Sequence, residues 1–134
     1  MKILAIDVGK TGGWYFSDEE NGEIHFTSLA DYEKTIKNLI DLYKPEIVVS
    51  ARPTRFYRAI VNHSRMLAIV ELVCEKKGVQ CHTNLIDSTC KKIVLGKGNA
   101  KKPDIIKWAG EESEHVADAK MFTEYAKITF TQKQ

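Results

Sequence analysis

The chain has no run near the eighteen or so consecutive apolar residues of a bilayer-spanning helix, and no basic N-terminal segment leading into a long apolar core. A helical membrane span and a secretory leader are therefore not expected. Cysteine is scarce: Cys74, Cys81 and Cys90 are odd in number and lie in no Cys-x-x-Cys or Cys/His zinc spacing. This excludes a disulfide framework and a structural zinc site, and the thiols read as reduced core or near-core groups of a cytoplasmic protein. There are only 3 prolines in 134 residues, and no repeat, low-complexity stretch or linker. Residues 1–134 thus read as a single domain, long enough to bury about two-thirds of the surface its unfolded chain exposes.

Net charge is small as well. At +2 it says nothing about a polyanionic partner, but its distribution does. Arg52, Arg55, Arg58 and Arg65 share one short window, and Lys91, Lys92, Lys97, Lys101, Lys102 and Lys107 another. Asp18, Glu19, Glu20 and Glu23 gather in a hairpin, and Glu111, Glu112 and Glu114 precede or open the last helix. Such segregation predicts a basic face for a polyanion, the alternative being two solvated surfaces.

What is present is organised around MKILAIDVGKTGGWYF, in which the apolar run Ile3 to Ile6 ends on Asp7 and is followed by Gly9, Gly12 and Gly13. A run apolar at both alternating positions predicts a central strand covered on both faces, delivering a carboxylate to its end. The glycines read as a turn, after which residues 13–17 pair back as a second strand and residues 23–28 as a third. Residues 31–44 carry Ile36, Leu39, Ile40 and Tyr43 at helical spacing, Pro45 ends that helix, and residues 46–51 (EIVVSA) form a short apolar strand. A helix is expected from 54 to 77, with an apolar arc wide enough to invite a second copy of the chain. A fifth strand follows at 79–83, then a helix at 88–95 with Asp87 as its N-cap, a Gly-rich basic loop at 96–100, a helix at 104–109 led by Pro103, and a last helix at 113–127. This order predicts an α/β fold: a mixed five-stranded sheet, an antiparallel meander plus two parallel strands, with helices on both faces. Strands one and four then lie side by side, with Asp7 near Ser50 and Ala51.

On the last helix, His115 and Asp118 lie three apart on one face, and Glu114 lies four before Asp118. Over the ends of strands one and four, that face adds Asp118 and either His115 or Glu114 to Asp7. Oxygen and nitrogen donors of this kind suit Mg²⁺ or Mn²⁺, and two such ions about 3.5–4 Å apart promote phosphodiester hydrolysis.

Taken together, ILAIDVGKTGGWYF, PEIVVSA, IVLGKGNAKKPDI and EHVADAKMFTEYA resemble the first strand, fourth strand, basic segment and final helix of the RuvC-like Holliday junction resolvases. These belong to the ribonuclease H-like group, and the likeness is greatest to the short forms of bacteriophages and low-GC bacteria. The resemblance spans nearly the whole chain. It implies a ribonuclease H-like fold and a homodimeric, Mg²⁺- or Mn²⁺-dependent endonuclease that cuts four-way or branched DNA in a bacterial host's cytoplasm. It places Asp7 and Asp118 as catalytic metal carboxylates, and His115 where the family has an acidic residue or a histidine, with Glu114 as the other candidate metal ligand. Lys91, Lys92, Lys101 and Lys102 fall in the family's DNA-binding stretch; Lys97, Arg52, Arg55 and Arg58 extend the basic face, and Phe56 and Tyr57 are read either as a stacking wedge or as packing residues.

One catalytic position departs from the family. Its fourth strand ends on a glutamate where this chain has Ala51. Whether the alanine is natural or replaces a glutamate to hold DNA uncut, the remaining cluster has too little negative charge for two hard cations, so weak or absent cleavage is expected. Three rivals accompany this reading: a non-catalytic branched-DNA binding module, a related nuclease acting on structured RNA, and the phosphate loop of sugar kinases and actin-like ATPases, which Asp7 to Thr11 resembles. The last needs a second domain for which 134 residues leave no room.

Overall fold

β1 (Ile3–Asp7) is buried from Ile3 to Ile6, as its apolar run predicts, and lies at the centre of a five-stranded sheet of order β3-β2-β1-β4-β5. The structure is a computed structural model that describes residues 1–53, 57–111 and 113–130, and the side chains of all of these except 57–59. Arg55, Phe56 and Glu112, and the side chains of Tyr57 and Arg58, lie outside the described residues. β2 (Thr11–Phe16) and β3 (Asn21–His25) form the antiparallel meander, and β4 (Ile47–Ala51) and β5 (Gln80–Leu85) add in parallel on the other side of β1.

Side-chain parity divides the core. Leu4, Ile6, Phe16 and Val48 point to one face, where α1 (Leu29–Tyr43) and α2 (Tyr57–Lys77) cover them with Ile36, Leu39, Ile40, Met66, Val70 and Val73. Ile3, Ala5, Tyr15, Ile47, Val49 and Ala51 point to the other, against α3 (Asp87–Leu95) and α5 (Glu114–Phe130). α4 (Lys102–Ala109) packs on α5 from outside through Ile105 and Ala109. Asp7 has the parity of Ile3 and Ala5, so it emerges on the α5 face, as Ala51 does.

Three local features set the ends of β1, β2 and β4 against that helix. The Ser50 hydroxyl, fully buried, donates to the Ile6 carbonyl at 2.6 Å, which ties β4 to β1 beyond the last residues in register. Between β4 and β5 the register slips: Val49 faces His82, but Ala51 faces Leu85. This bulge re-aims the end of β5. Gly13 pairs with Asp7, and a Cβ there would lie 2.7 Å from the His115 backbone carbon. Only glycine lets the first turn of α5 rest on the sheet beside Asp7.

β2 starts two residues earlier than expected, so Thr11 and Gly12 belong to the strand and not to the preceding turn. α1 starts two residues earlier than expected, capped by the Ser28 hydroxyl, which accepts from the Asp31 N–H. Asp87 is not an N-cap: Ile86 occupies that position without a side-chain hydrogen bond, and Asp87 is the first helical residue. Cys74 and Cys90 are buried and Cys81 half-buried, all three as free thiols. Among the described residues no helix is long and apolar enough to cross a membrane.

Candidate functional site

At the C-terminal ends of β1 and β4 the sheet, α3, α4 and α5 enclose a cleft of about 360 Å³. Its lining includes Asp7, Ala51, Arg52, Lys91, Lys102, His115 and Asp118, all foreseen from the sequence, together with Asp87 and His63, which were not. Asp7 arrives on β1. His115 and Asp118 arrive on α5, one turn apart, and are held over Asp7 by the approach at Gly13. The His115 imidazole donates from Nδ1 to Asp7 Oδ2 at 2.9 Å, and its Nε2 lies 3.6 Å from Glu114 Oε1.

Glu114 itself is not part of the cleft lining; its carboxylate meets Lys102 Nζ at 3.1 Å. Lys91 Nζ lies 2.7 Å from Asp87 Oδ2, one helical turn back on α3. Lys92 and Lys101 are exposed outside the cleft, and Lys97 borders a neighbouring groove. The basic stretch therefore divides in two, with Lys91 and Lys102 reaching the carboxylates and the other lysines facing solvent. His63, on α2, donates from Nε2 to the Ala51 carbonyl at 3.0 Å and so pins the end of β4.

Burial and crowding of like charge govern the acids. Asp118 is pushed up to about 7, chiefly by burial, then by the Asp7 and Asp87 carboxylates, with Lys102 and Lys91 opposing. Burial also raises Asp7, against the hydrogen bond and charge of His115. The same hydrogen bond to Asp7 raises His115, against burial and the Lys102 charge.

No protein-family model matches the chain, and no curated protein matches it in sequence. Solved structures do match in shape. Thermus thermophilus RuvC aligns over 96% of this chain and 96% of its own, with a TM-score of 0.68 and 16% identity. T. thermophilus RuvC in complex with Holliday junction substrate aligns over 96% of both chains, with a TM-score of 0.73 and 15% identity. The yeast mitochondrial Holliday junction resolvase Ydc2 covers 89% of this chain and 74% of its own, with a TM-score of 0.53 and 14% identity. The chain has a RuvC-like resolvase fold. At these identities the likeness is one of architecture, and what the cleft does has to be argued from its own residues.

Within the RuvC-like fold, the donor set departs from a two-cation centre. Asp7 is already engaged by the His115 imidazole, Asp118 resists ionisation, and β4 ends on a methyl group at Ala51. Among the described residues, no three His, Cys, Asp or Glu side chains gather closely enough to hold a metal ion. The residues present do not fit a pair of Mg²⁺ or Mn²⁺ ions. Positive charge comes instead from Arg52, Lys91 and Lys102.

The raised Asp118 has a consequence for stability. Its folded pKa, about 7, lies above the ordinary 3.8, so between these values the unfolded chain has lost a proton that the folded one keeps. Stability is thus highest below about pH 4 as far as this group is concerned, falls as pH rises to about 7, and is level above. Asp118→Asn removes the ionisation and is expected to raise stability by about 1–3 kcal/mol at pH 8, and by little at pH 4. Urea denaturation of both proteins at the two pH values measures this; an equal effect at both would contradict it.

Proposed function

We propose that this chain binds four-way or branched DNA across the cleft, as a homodimer in the cytoplasm, and that it belongs by design of its site to the structure-specific endonucleases but cuts poorly because position 51 carries no carboxylate. The observation that carries this is the meeting of Asp7, His115 and Asp118 with the ammonium groups of Lys91 and Lys102 opposite Ala51 in one cleft. T. thermophilus RuvC, whose architecture is shared, is described in complex with a Holliday junction substrate, which favours branched DNA as the ligand.

The chemistry of binding follows from the ion pairs. Lys91 and Lys102 hold Asp87 and Glu114 in the free protein, and these carboxylates stand where phosphodiester oxygens would compete. Exchanging a partly exposed carboxylate for a phosphate costs little, because such pairs contribute at most about 1 kcal/mol. Arg52 at the rim adds a further cation. Glu114 acts as a placeholder for phosphate in this reading, and Asp7, His115 and Asp118 are the catalytic positions. A fluorescence-anisotropy titration of a labelled four-way junction, with products run on a denaturing gel in Mg²⁺ and in Mn²⁺, tests it: tight binding with little product is expected, and efficient cutting by the unaltered chain would contradict it.

The dimer is supported by α2, where Val61, Ala68 and Leu72 form an exposed apolar strip at helical spacing while Met66, Val70 and Val73 face the core. Single exposed apolar residues are ordinary, but a strip along a long helix invites a partner. Val61→Asp together with Leu72→Asp is expected to convert the dimer to a monomer at micromolar concentration in light scattering. A monomer before the change would remove the dimer from the account.

A further inference from the structure

Beside the cleft, on the far side of α4, lies a groove of about 260 Å³ lined by Val94, Leu95, Lys97, Ala100, Asp104 and Trp108. We infer that this groove takes an unpaired base of the branched DNA, stacked on the Trp108 indole, and that the protein prefers branch points with single-stranded nucleotides. The inference rests on the proposed binding of DNA at the cleft and adds a specificity determinant to it.

Trp108 is 37% exposed on a short, otherwise well-anchored helix. Lys120 Nζ stands 5.8 Å from the ring centroid and is fixed by donating to the Ala109 carbonyl at 2.8 Å, so the indole is held from one side by a cation. Val94, Leu95 and Ala100 supply aliphatic wall. Among the described residues, the carboxylate in the lining is Asp104, which is committed to the cap of α4, accepting from the Lys101 N–H at 3.1 Å. Lys97 is an exposed cation in the lining, with Lys92 and Lys101 exposed on the adjoining segments. An aromatic face with apolar walls and cations around it matches a nucleobase carrying its phosphate, since bases stack irrespective of identity and phosphates are drawn to the lysines.

Position strengthens the case. α4 presents Lys102 and Ile105 to the cleft and Asp104 and Trp108 to the groove. A helix with its side chains is about 10–12 Å across. A base in the groove is therefore only a few nucleotides along the strand from the phosphate in the cleft. A base within a duplex is already stacked on both faces, so only an unpaired one can lie on the indole.

The test compares affinities of the full chain for two DNAs by anisotropy: a fully paired four-way junction, and the same junction with three unpaired nucleotides in one arm next to the crossover. The unaltered chain is expected to bind the gapped junction more tightly. Trp108→Ala should weaken binding to the gapped junction by about 5- to 150-fold and leave the paired one within about twofold, an effect of the size of one base stacked on an aromatic ring. Trp108→Leu keeps the apolar bulk without the π face and should behave like the alanine variant; it carries the test if Trp108→Ala does not fold. Equal losses on both DNAs, unchanged binding to the gapped junction, or no preference for the gap in the unaltered chain would each overturn this inference while leaving the cleft's role intact. Failure to bind either DNA would instead overturn the proposed function as well.

Discussion

Ala51→Glu is expected to raise metal-dependent cleavage of a four-way junction by several orders of magnitude, the scale of effect that completing a metal-ion site brings. Ala51 ends β4 on the face shared with Asp7, and it borders a cleft of about 360 Å³ into which a longer side chain can extend. The His63 bond goes to the carbonyl of residue 51 and not to its side chain, so the strand end stays pinned after the change. The glutamate would add a third carboxylate to Asp7 and Asp118, turning a donor set that does not fit two divalent cations into one that does. In the absence of metal the change should lower stability, because a further negative charge enters a place where Asp118 is already pushed up to about 7. Cleavage measured in Mg²⁺ and Mn²⁺ for both chains, with thermal unfolding as the second readout, checks both halves. A glutamate variant that folds, binds junctions and remains inactive in both metals would leave the fold as that of a binding module.

Lys91→Ala combined with Lys102→Ala should have the second largest effect, a loss of junction affinity of about 10- to 100-fold at low salt. The slope of log affinity against log salt should flatten by about two phosphate contacts per subunit. Lys101 and Lys92 are exposed and outside the cleft lining, so Lys92→Ala with Lys101→Ala should cost less. Both cleft lysines are ion-paired in the free protein, and removing them takes the nearest ammonium group from Asp87 and from Glu114, next to incoming phosphate. Titrations at several salt concentrations measure this; an unchanged slope would take the two lysines out of the interface.

Much of this architecture is legible in the sequence because two periods carry it. The doubly apolar run of β1 announced a central strand, and alternation from Ile3 to Asp7 and from Ile47 to Ala51 puts Asp7 and Ala51 on one face. The three-residue spacing of His115 and Asp118 did the same for α5. What period alone misses is contact between elements. Asp87 was read as a cap because an acid at a helix start serves equally for capping and for an i, i+4 pair; which it does depends on Lys91 and on the cleft. The partner of His63 is a backbone carbonyl on another element, for which no side-chain pattern exists. Gly12 reads as a turn residue because glycine is the usual turn former, whereas its missing Cβ makes room for the Asp7 carbonyl, as that of Gly13 does for the first turn of α5. Trp108 sits in a helix too short for its exposed side to show as a stripe.

The most direct measurement of the central claim is the affinity of the unaltered chain, in a metal chelator, for a four-way junction and for a linear duplex of the same length and sequence. Because lysines and Arg52 supply the cleft's positive charge, the account predicts junction binding without added metal, at least about tenfold tighter than duplex binding and falling steeply with salt. Equal affinity for the two DNAs, or junction binding that appears only when Mg²⁺ or Mn²⁺ is added, would contradict it.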